Sequence, residues 1–454
     1  MSVYNNRIKT HLIKPVYNGT NLRSEFRLES DTAYLSNMRL MDIGVTKSAS
    51  QTQYNALVGA YGVIKSIHLY DNNTLLDQTL EASLWLAWKQ VNKGNQDNQS
   101  SSFMTAANNA SNVLAGNDDV LTGLGKNIIG GAVFQLLTAT TEVNTSKGWL
   151  NLREVFPMLK SLQFLDTSVF KRLRVVIHYH SDPTNYLKDE QSSGICSSTE
   201  PLLVVDEIIG DGKAKVMGKF KGVNYTVIEH DRVRVPSIGG TGGSPAPTKD
   251  QPIIVQSNSF KIGGFNNKSV GRMLIVKSPV DPQGFINPAG NGTNIGKAGK
   301  YMSVAMNKEI VQLRKNGNAL LTGRGLESSS QRLAMVNDIW GQSSIPPFHN
   351  GLPFVTNIAN EDKLRDLLVF NNQDVGTLDY IAFDCRGEQT NDLQLEYERS
   401  GIYVYKTTPK NQTEGTDVTA TGDSIYNASI DLNIFAEVDK SIVVQGGNYQ
   451  VVYA

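Results

Sequence analysis

Cysteine is almost absent from this chain of 454 residues: only Cys196 and Cys385 occur, far apart in sequence. Two such thiols exclude a disulfide scaffold and a thiolate metal site, fit a reducing compartment, and are not expected to bridge each other. Net charge is lacking too. The 43 basic and 43 acidic residues cancel, so no global field draws the chain to nucleic acid, an anionic membrane or an acidic substrate, and protein surfaces are the expected partners. No 18 apolar residues run together, and the first residues, MSVYNNRIKTHLIK, contain no apolar signal core. The expectation is a soluble protein with no membrane span, not secreted by a signal peptide. Asn-x-Ser/Thr triplets at Asn18, Asn109, Asn144 and Asn291 are what a chain rich in Asn, Ser and Thr produces by chance.

Helical periodicity is also scarce. Short apolar runs bounded by Gly, Asn, Asp and Pro recur instead, the pattern of an all-β fold. Candidate strands are Glu25–Leu28, Met38–Val45, Val63–Tyr70, Leu173–His180, Leu202–Ile209, Asn224–Ile228, Met273–Val276, Ile310–Leu313, Leu378–Phe383, Leu393–Tyr397, Ile402–Tyr405, Ile430–Phe435 and Tyr449–Tyr453. That number suits two sandwiches, as does a length beyond the usual limit of about 250 residues for one core. Helices are expected at Leu80–Val91, Leu150–Leu162 and Glu361–Val369, and long loops at Lys93–Asn127, Ser237–Gln251 and Pro279–Gly299.

A faint internal duplication organises the rest. Phe26-Arg27-Leu28 and Met38-Arg39-Leu40 parallel Phe260-Lys261-Ile262 and Arg272-Met273-Leu274. Ile67 to Leu76, with its turn at Asn72-Asn73, parallels Val311 to Leu321, with its turn at Asn316-Gly317, and each leads to a Leu-Glu pair (Leu80-Glu81, Leu326-Glu327). Leu173–Asp182 parallels Leu393–Gly401. The three matches keep their order at separations of 234, 244 and 218 residues (26 to 260, 69 to 313, 179 to 397). They point to two copies of one β domain: residues 1–186 as the first, 187–256 as a β-containing linker of uncertain membership, and 257–454 as the second.

No candidate chemical site satisfies its own requirements. Gly292-Thr293-Asn294-Ile295-Gly296-Lys297-Ala298 approaches a phosphate-binding loop, but its glycine spacing is one residue short and Ala298 stands where Mg²⁺ needs a hydroxyl. His178 and His180, two apart on a strand, share a face and could share a metal, yet no third ligand is near in sequence. His11, His68, His230 and His349 are scattered. Glu396 and Glu398 alternate with Leu395 and Tyr397 and read as a solvated strand face rather than a carboxylate pair for acid–base work. His230-Asp231-Arg232-Val233-Arg234 is too short and too mixed for a nucleic-acid footprint. The expectation is therefore no enzyme, with no catalytic, cofactor-binding or metal-ligating residue.

Three segments carry a family resemblance: IKSIHLYDNNTLLD (64–77), WLNLREVFPMLKSLQFLDTSVFKRLRVVIHY (149–179) and IDLNIFAEVDKSIVVQGGNYQVVY (430–453). Their order resembles that of the double jelly-roll major capsid proteins of double-stranded DNA viruses, particularly polinton-like viruses and virophages. The resemblance covers most of the chain loosely; the stretch from Lys188 to Gln251 matches nothing in it. It implies two consecutive eight-stranded jelly-roll sandwiches with few short helices and long loops. It further implies a major capsid protein whose homotrimer is a pseudo-hexameric capsomer of an icosahedral shell, assembled inside the host cell. The implied partners are neighbouring capsomers, penton and minor capsid proteins, with no sequence-specific nucleic-acid binding. Phe348, Phe354 and Phe370, beside Ile345-Pro346-Pro347, are candidates for subunit contacts or for core. The alternative is another virion or surface β-sandwich protein: a penton, a fibre-like protein or a carbohydrate-binding module. A lectin would show aromatics beside Asp and Asn on loops, whereas Trp85, Trp88 and Trp149 sit in or next to expected helices. A glycosidase would need two carboxylates converging in a cleft.

Overall fold

The computed structural model describes residues 7–47, 52–53, 58–91, 136–137, 148–186, 196–238, 255–280, 301, 303, 306, 308–340, 379–400, 429–445 and 448–453. The first half supplies β1 (Arg7–Ile13), β2 (Tyr17–Gly19), β3 (Arg23–Arg27), β4 (Ala33–Leu35), β5 (Arg39–Ile43), β6 (Ile64–Asp71) and β7 (Thr74–Thr79). It continues with β8 (Gly148–Asn151), β9 (Phe164–Asp166), β10 (Leu173–Tyr179) and β11 (Leu202–Ile209). The second half supplies β12 (Gly222–Val235), β13 (Val255–Lys261), β14 (Val270–Pro279), β15 (Ile310–Lys315) and β16 (Asn318–Ala319). Then follow β17 (Ile381–Asp384), β18 (Leu393–Ser400), β19 (Ile430–Gln445) and β20 (Asn448–Tyr453). Helices are α1 (Ala82–Val91), α2 (Met158–Ser161), α3 (Asp211–Val216) and α4 (Ser329–Trp340).

Pairing reduces each half to eight rows. In the first, β4 and β5 lie end to end against β11, and β9 and β8 lie end to end against them, so each pair is one interrupted row. One sheet is then β1, β11, β4/β5, β9/β8; the other is β3, β10, β6, β7, with β2 added outside β3. Numbered along the chain, the row orders are 1-8-3-6 and 2-7-4-5. The second half repeats both, as β12, β19, β14, β17 and β13, β18, β15, β16, with β20 continuing the line of β14 beside β19. These two orders are the jelly-roll connectivity, two Greek keys whose sheets face each other.

The duplicated segments fall on equivalent rows: Phe26 and Phe260 on row two, Leu40 and Leu274 on row three, Leu69 and Leu313 on row four, and the strands beginning at Leu173 and Leu393 on row seven. The reason is physical. Alternation sends every second residue inward, and the inward set, such as Leu40 opposite Leu203, or Phe26, Val175 and Leu69, fills a continuous core. Rows four and five are joined by tight turns in which Asn72 (φ 54°), Asn316 (φ 52°) and Gly317 (φ 82°) adopt the left-handed backbone that these residue types tolerate.

Antiparallel rows alternate direction, so connections 2–3, 4–5 and 6–7 leave one end of a sandwich and the others leave the opposite end. The first set is short throughout, for example 72–73, 167–172 and 316–317; the second set holds every long connection. Lys93–Asn127, between rows five and six, and Pro279–Gly299, between rows three and four, belong to that second set. Beyond Pro279 and Val280 their residues lie outside the described residues.

Several expectations change. The 187–256 stretch is not a linker: β11 pairs with β1 in the first sandwich and β12 with β19 in the second, so the change of sheet falls between Ile209 and Gly222 and the first sandwich does not stop at 186. Leu150–Leu162 is not one helix, because Leu150 pairs with Leu40 at the end of β8 and only Met158–Ser161 is helical after Pro157. Helix α4 was not expected. Its buried stripe is Arg332, Val336 and Trp340, in which a charged residue breaks the apolar period, although a capping box was legible. Ser328 Oγ accepts from Gln331 N (3.2 Å) while Gln331 Oε1 accepts from Ser328 N (3.1 Å). The expected helix Glu361–Val369, the strand Ile402–Tyr405, the loop Ser237–Gln251 past Ile238, Asn109, Asn144, Asn291, and Phe348, Phe354 and Phe370 lie outside the described residues.

Candidate functional site

The two sandwiches meet through the helices that follow row five in each. Helix α1, from the run Leu84-Trp85-Leu86-Ala87-Trp88, buries both tryptophans, and α4 brings Trp340 to them. Ring centroids are 5.0 Å apart for Trp85–Trp88, 5.8 Å for Trp85–Trp340, 5.1 Å for Trp88–Trp340 and 5.5 Å for Trp85–Phe435. Lys89 Nζ lies 5.0 Å from the Trp85 ring and 5.1 Å from that of Trp88. The Arg272 guanidinium covers Trp340 at 4.4 Å and is held by Glu437 (Nε to Oε2, 2.7 Å). Burial lowers the Lys89 pKa to about 8, with Lys160 adding to the effect and Glu154 opposing it. The rings supply quadrupole attraction for both cations. Further ties cross the same junction: Tyr225 OH donates to the Leu76 carbonyl (2.9 Å), Tyr449 OH to Asp71 Oδ2 (2.6 Å) and Tyr301 OH to the Asn185 carbonyl (2.6 Å).

Within the second sandwich, four charges are sealed in the core. Lys277 on β14 donates to Glu309 Oε2 (2.7 Å) and Asp379 Oδ2 (3.0 Å); Arg332 on α4 donates to Asp379 Oδ2 (2.7 Å) and reaches Glu309 Oε2 at 3.3 Å; Tyr397 OH on β18 donates to Glu309 Oε1 (2.7 Å). No side chain of the four is more than 2% exposed. Burial acts to raise both carboxyls. Lys277 and Arg332 overcome it at Glu309, which is held below its ordinary value, but not at Asp379, which stays raised. Two cations balance two carboxylates, and a catalytic acid or base must reach a substrate proton, which groups so enclosed do not. Their chemistry is cross-linking: they join row three, row seven, α4 and the approaches to rows four and six. Sequence reasoning missed all four because they are scattered. The available signal was one charge in an apolar run, Lys277 after Met273-Leu274-Ile275-Val276 and Asp379 before Tyr380-Ile381-Ala382-Phe383.

The residues singled out from sequence are not brought together. His178 and His180 do not share a site: a register irregularity follows His178, whose ring meets His68 at 5.3 Å, while His180 Nε2 lies 3.2 Å from Ser83 Oγ on α1. Burial lowers the His68 pKa to about 4, helped by His178. Glu396 pairs with Arg314 (2.7 Å) and Glu398 with Arg324 (2.9 Å), each a strand-face ion pair. In the basic cluster, Arg234 holds Asp431 through two hydrogen bonds (2.9 and 3.2 Å), Arg232 lies 3.6 Å from the same carboxylate, and His230 packs on Phe435. Cys385 is a free thiol, buried, its pKa pushed up to about 12 by that burial. No group of three potential metal ligands occurs among the described residues, and Gly292–Ala298 lies outside them. No described helix is long and apolar enough to cross a membrane.

No family model and no curated protein sequence matches the chain. Solved structures do. The major capsid protein in the cryo-EM structure of the Sputnik virophage is similar with a TM-score of 0.57 at 10% identity, over 100% of this chain and 90% of that one. The mavirus major capsid protein gives 0.55 at 11% identity, over 99% and 90%. The PBCV-1 protein VP54, fitted into a reconstruction of Sputnik, gives 0.51 at 10%, over 100% and 99%. At such identities the likeness is one of fold.

Proposed function

We propose a function from the fold, since the chain has the double jelly-roll fold of virophage and PBCV-1 major capsid proteins over essentially its whole length. From this premise we propose that it is a major capsid protein, with residues 7–209 and 222–453 as its two jelly rolls. Three copies then form a pseudo-hexameric capsomer of an icosahedral shell inside the virion, with no catalytic role. The carrying observation is the row-by-row duplication: two equivalent sandwiches in one chain, taken three times about an axis, give six similar lobes. The exterior of the first sandwich supports self-association. On β1, Ile8 (52% exposed) and Leu12 (64%) stand opposite Ile208 and Val204 on the outer face of their sheet, an edge strand presenting apolar side chains.

Sedimentation velocity and negative-stain electron microscopy of the purified chain test this. The expected result is a species of three times the 49.7 kDa chain with a hexagonal outline. A monomer that persists at micromolar concentration overturns the reading.

A further inference from the structure

The formal charge of the chain is zero, but its distribution is not even. At the short-connection end of the first sandwich, a concavity of about 380 Å³ lies between the turns joining rows two–three, four–five and six–seven. Four cationic residues line it: Arg27, Lys171, Arg172 and Arg174. Strand pairing explains part of the convergence, since Arg27 and Arg174 are cross-strand partners and so project from the same face. Lys171 and Arg172 are exposed on the turn beside them.

Four carboxylates nearby equal this set in number, but two of them are already engaged within the protein, and the excess of positive charge comes from the segment beside the pocket. Glu25 is shared between Arg27 (3.2 Å) and Arg174 (3.7 Å). Asp71 is occupied by the backbone N–H of Arg172 (2.7 Å) and by Tyr449. Glu29 and Asp31 are exposed on the adjoining turn. Arg174 stacks over Tyr70 at 4.8 Å, and its Nε has no hydrogen-bond partner within the protein. The basic surface then continues. The segment between the sandwiches packs back on the same turn, Phe220 on Phe170 at 5.2 Å and Gly218 N donating to Asp166 Oδ2 at 2.6 Å. It presents exposed Lys215, Lys219 and Lys221 against a single exposed acid, Asp211.

We infer that this pocket and the lysine-bearing segment beside it bind the phosphodiester backbone of duplex nucleic acid without reading its sequence. Arginine forks and lysine ammonium groups match phosphate oxygens, and such contacts position a duplex without carrying sequence information. The duplex as occupant rests on the capsid reading, under which a shell subunit encloses a packaged genome, and on the sign of the charge that this end presents.

The test is fluorescence anisotropy of the full chain with a labelled mixed-sequence DNA duplex across a salt series. Binding is expected with Kd on the order of 10⁻⁴–10⁻⁶ M at physiological salt, as for non-specific complexes. The double variant Lys171→Ala/Arg172→Ala is expected to bind roughly tenfold more weakly at low salt and to lower the log–log salt slope by about 1.8, two phosphate contacts at about 0.9 each. Lys171→Arg/Arg172→Lys is expected to retain both affinity and slope, and Lys219→Glu/Lys221→Glu to weaken binding without altering the fold. An unchanged salt slope in the alanine variant overturns the inference, as does preference for anionic phosphatidylglycerol vesicles over the duplex. Sedimentation of the same samples separates the two readings. A trimer that ignores the duplex sinks this inference alone; a monomer that binds it through Lys171 and Arg172 supports the pocket and sinks the capsid reading.

Discussion

Replacing Arg332 by Met removes one of two cations from a closed core. Asp379 then loses its 2.7 Å partner, and the carbonyls of Glu309 (3.2 Å) and Leu326 (3.5 Å) lose their donor. Lys277 alone must serve two buried carboxylates. Breaking such a network from one side costs about 3–5 kcal/mol, because an uncompensated charge stays in low dielectric. Asp379 sets a ceiling on that cost, since burial already raises its pKa and it will take up a proton when its partner goes. The sign follows. A carboxyl whose pKa in the folded state lies above its unfolded value binds more protons folded than unfolded, so stability falls as pH rises above the unfolded pKa, by about 1.4 kcal/mol per pH unit until the folded pKa is reached. The variant is therefore expected to be closer to the parent near pH 5 than near pH 8. Urea unfolding followed by tryptophan fluorescence reads it, at matched protein concentration because association adds to apparent stability. With a slope of about 3 kcal/mol/M, the midpoint should drop by about 1 M or more near pH 8. Arg332→Met/Asp379→Leu removes one charge of each sign and leaves the Lys277–Glu309 pair, so it should be less destabilised than Arg332→Met alone. A single variant within 1 kcal/mol of the parent at every pH, or a double variant whose loss is the sum of two large single losses, refutes the reasoning.

Two further outcomes follow from local geometry. Lys89, with its pKa lowered to about 8, binds fewer protons folded than unfolded between there and the ordinary lysine value, so its burial penalty is present below pH 8 and relieved as pH rises, by up to about 3 kcal/mol. Lys89→Met should gain stability over the parent at pH 7 and lose more than half of that advantage by pH 9.5, as urea midpoints would show; a constant gap contradicts the burial account. Gly325 has φ +106°, and a Cβ there would stand 2.3 Å from the Val311 carbonyl oxygen. Gly325→Ala should therefore break the Val311–Leu326 bridge and lower the thermal midpoint, at a cost of about 1–3 kcal/mol or more. Unchanged melting would mean that the row-four edge can shift.

The sandwich rows were legible because alternation and Asn-rich turns are local signals: Leu69 and Leu313 announce equivalent strands within ten residues of their turns. Row membership was less legible. Nothing near Leu202–Ile209 indicates that its partner is Arg7–Ile13, since pairing across such a separation is decided by closure of the whole sheet. The core charges were invisible for a similar reason, each one looking like an isolated exception until row three, α4 and the approaches to rows four and six converge. The basic pocket was hidden by a cancelling net charge and by contributions from three separate turns. Glu396 and Glu398 were legible as strand-face residues, each now paired with an arginine, because neighbours two apart on a strand share exposure.

Every row of the first sandwich is encoded between Arg7 and Ile209, yet the opening strand finds its sheet only when the last row has been made. During synthesis β1 must wait for some two hundred residues with Ile8 and Leu12 uncovered, an edge open to mispairing with other nascent chains. Once β11 emerges, the sandwich can close without the second one, whose rows then assemble beside a finished template. On this order, shortening the wait by moving the β1 segment to follow β11 should favour correct folding more than any improvement in its apolar contacts, because what limits the strand is the time before its partner exists.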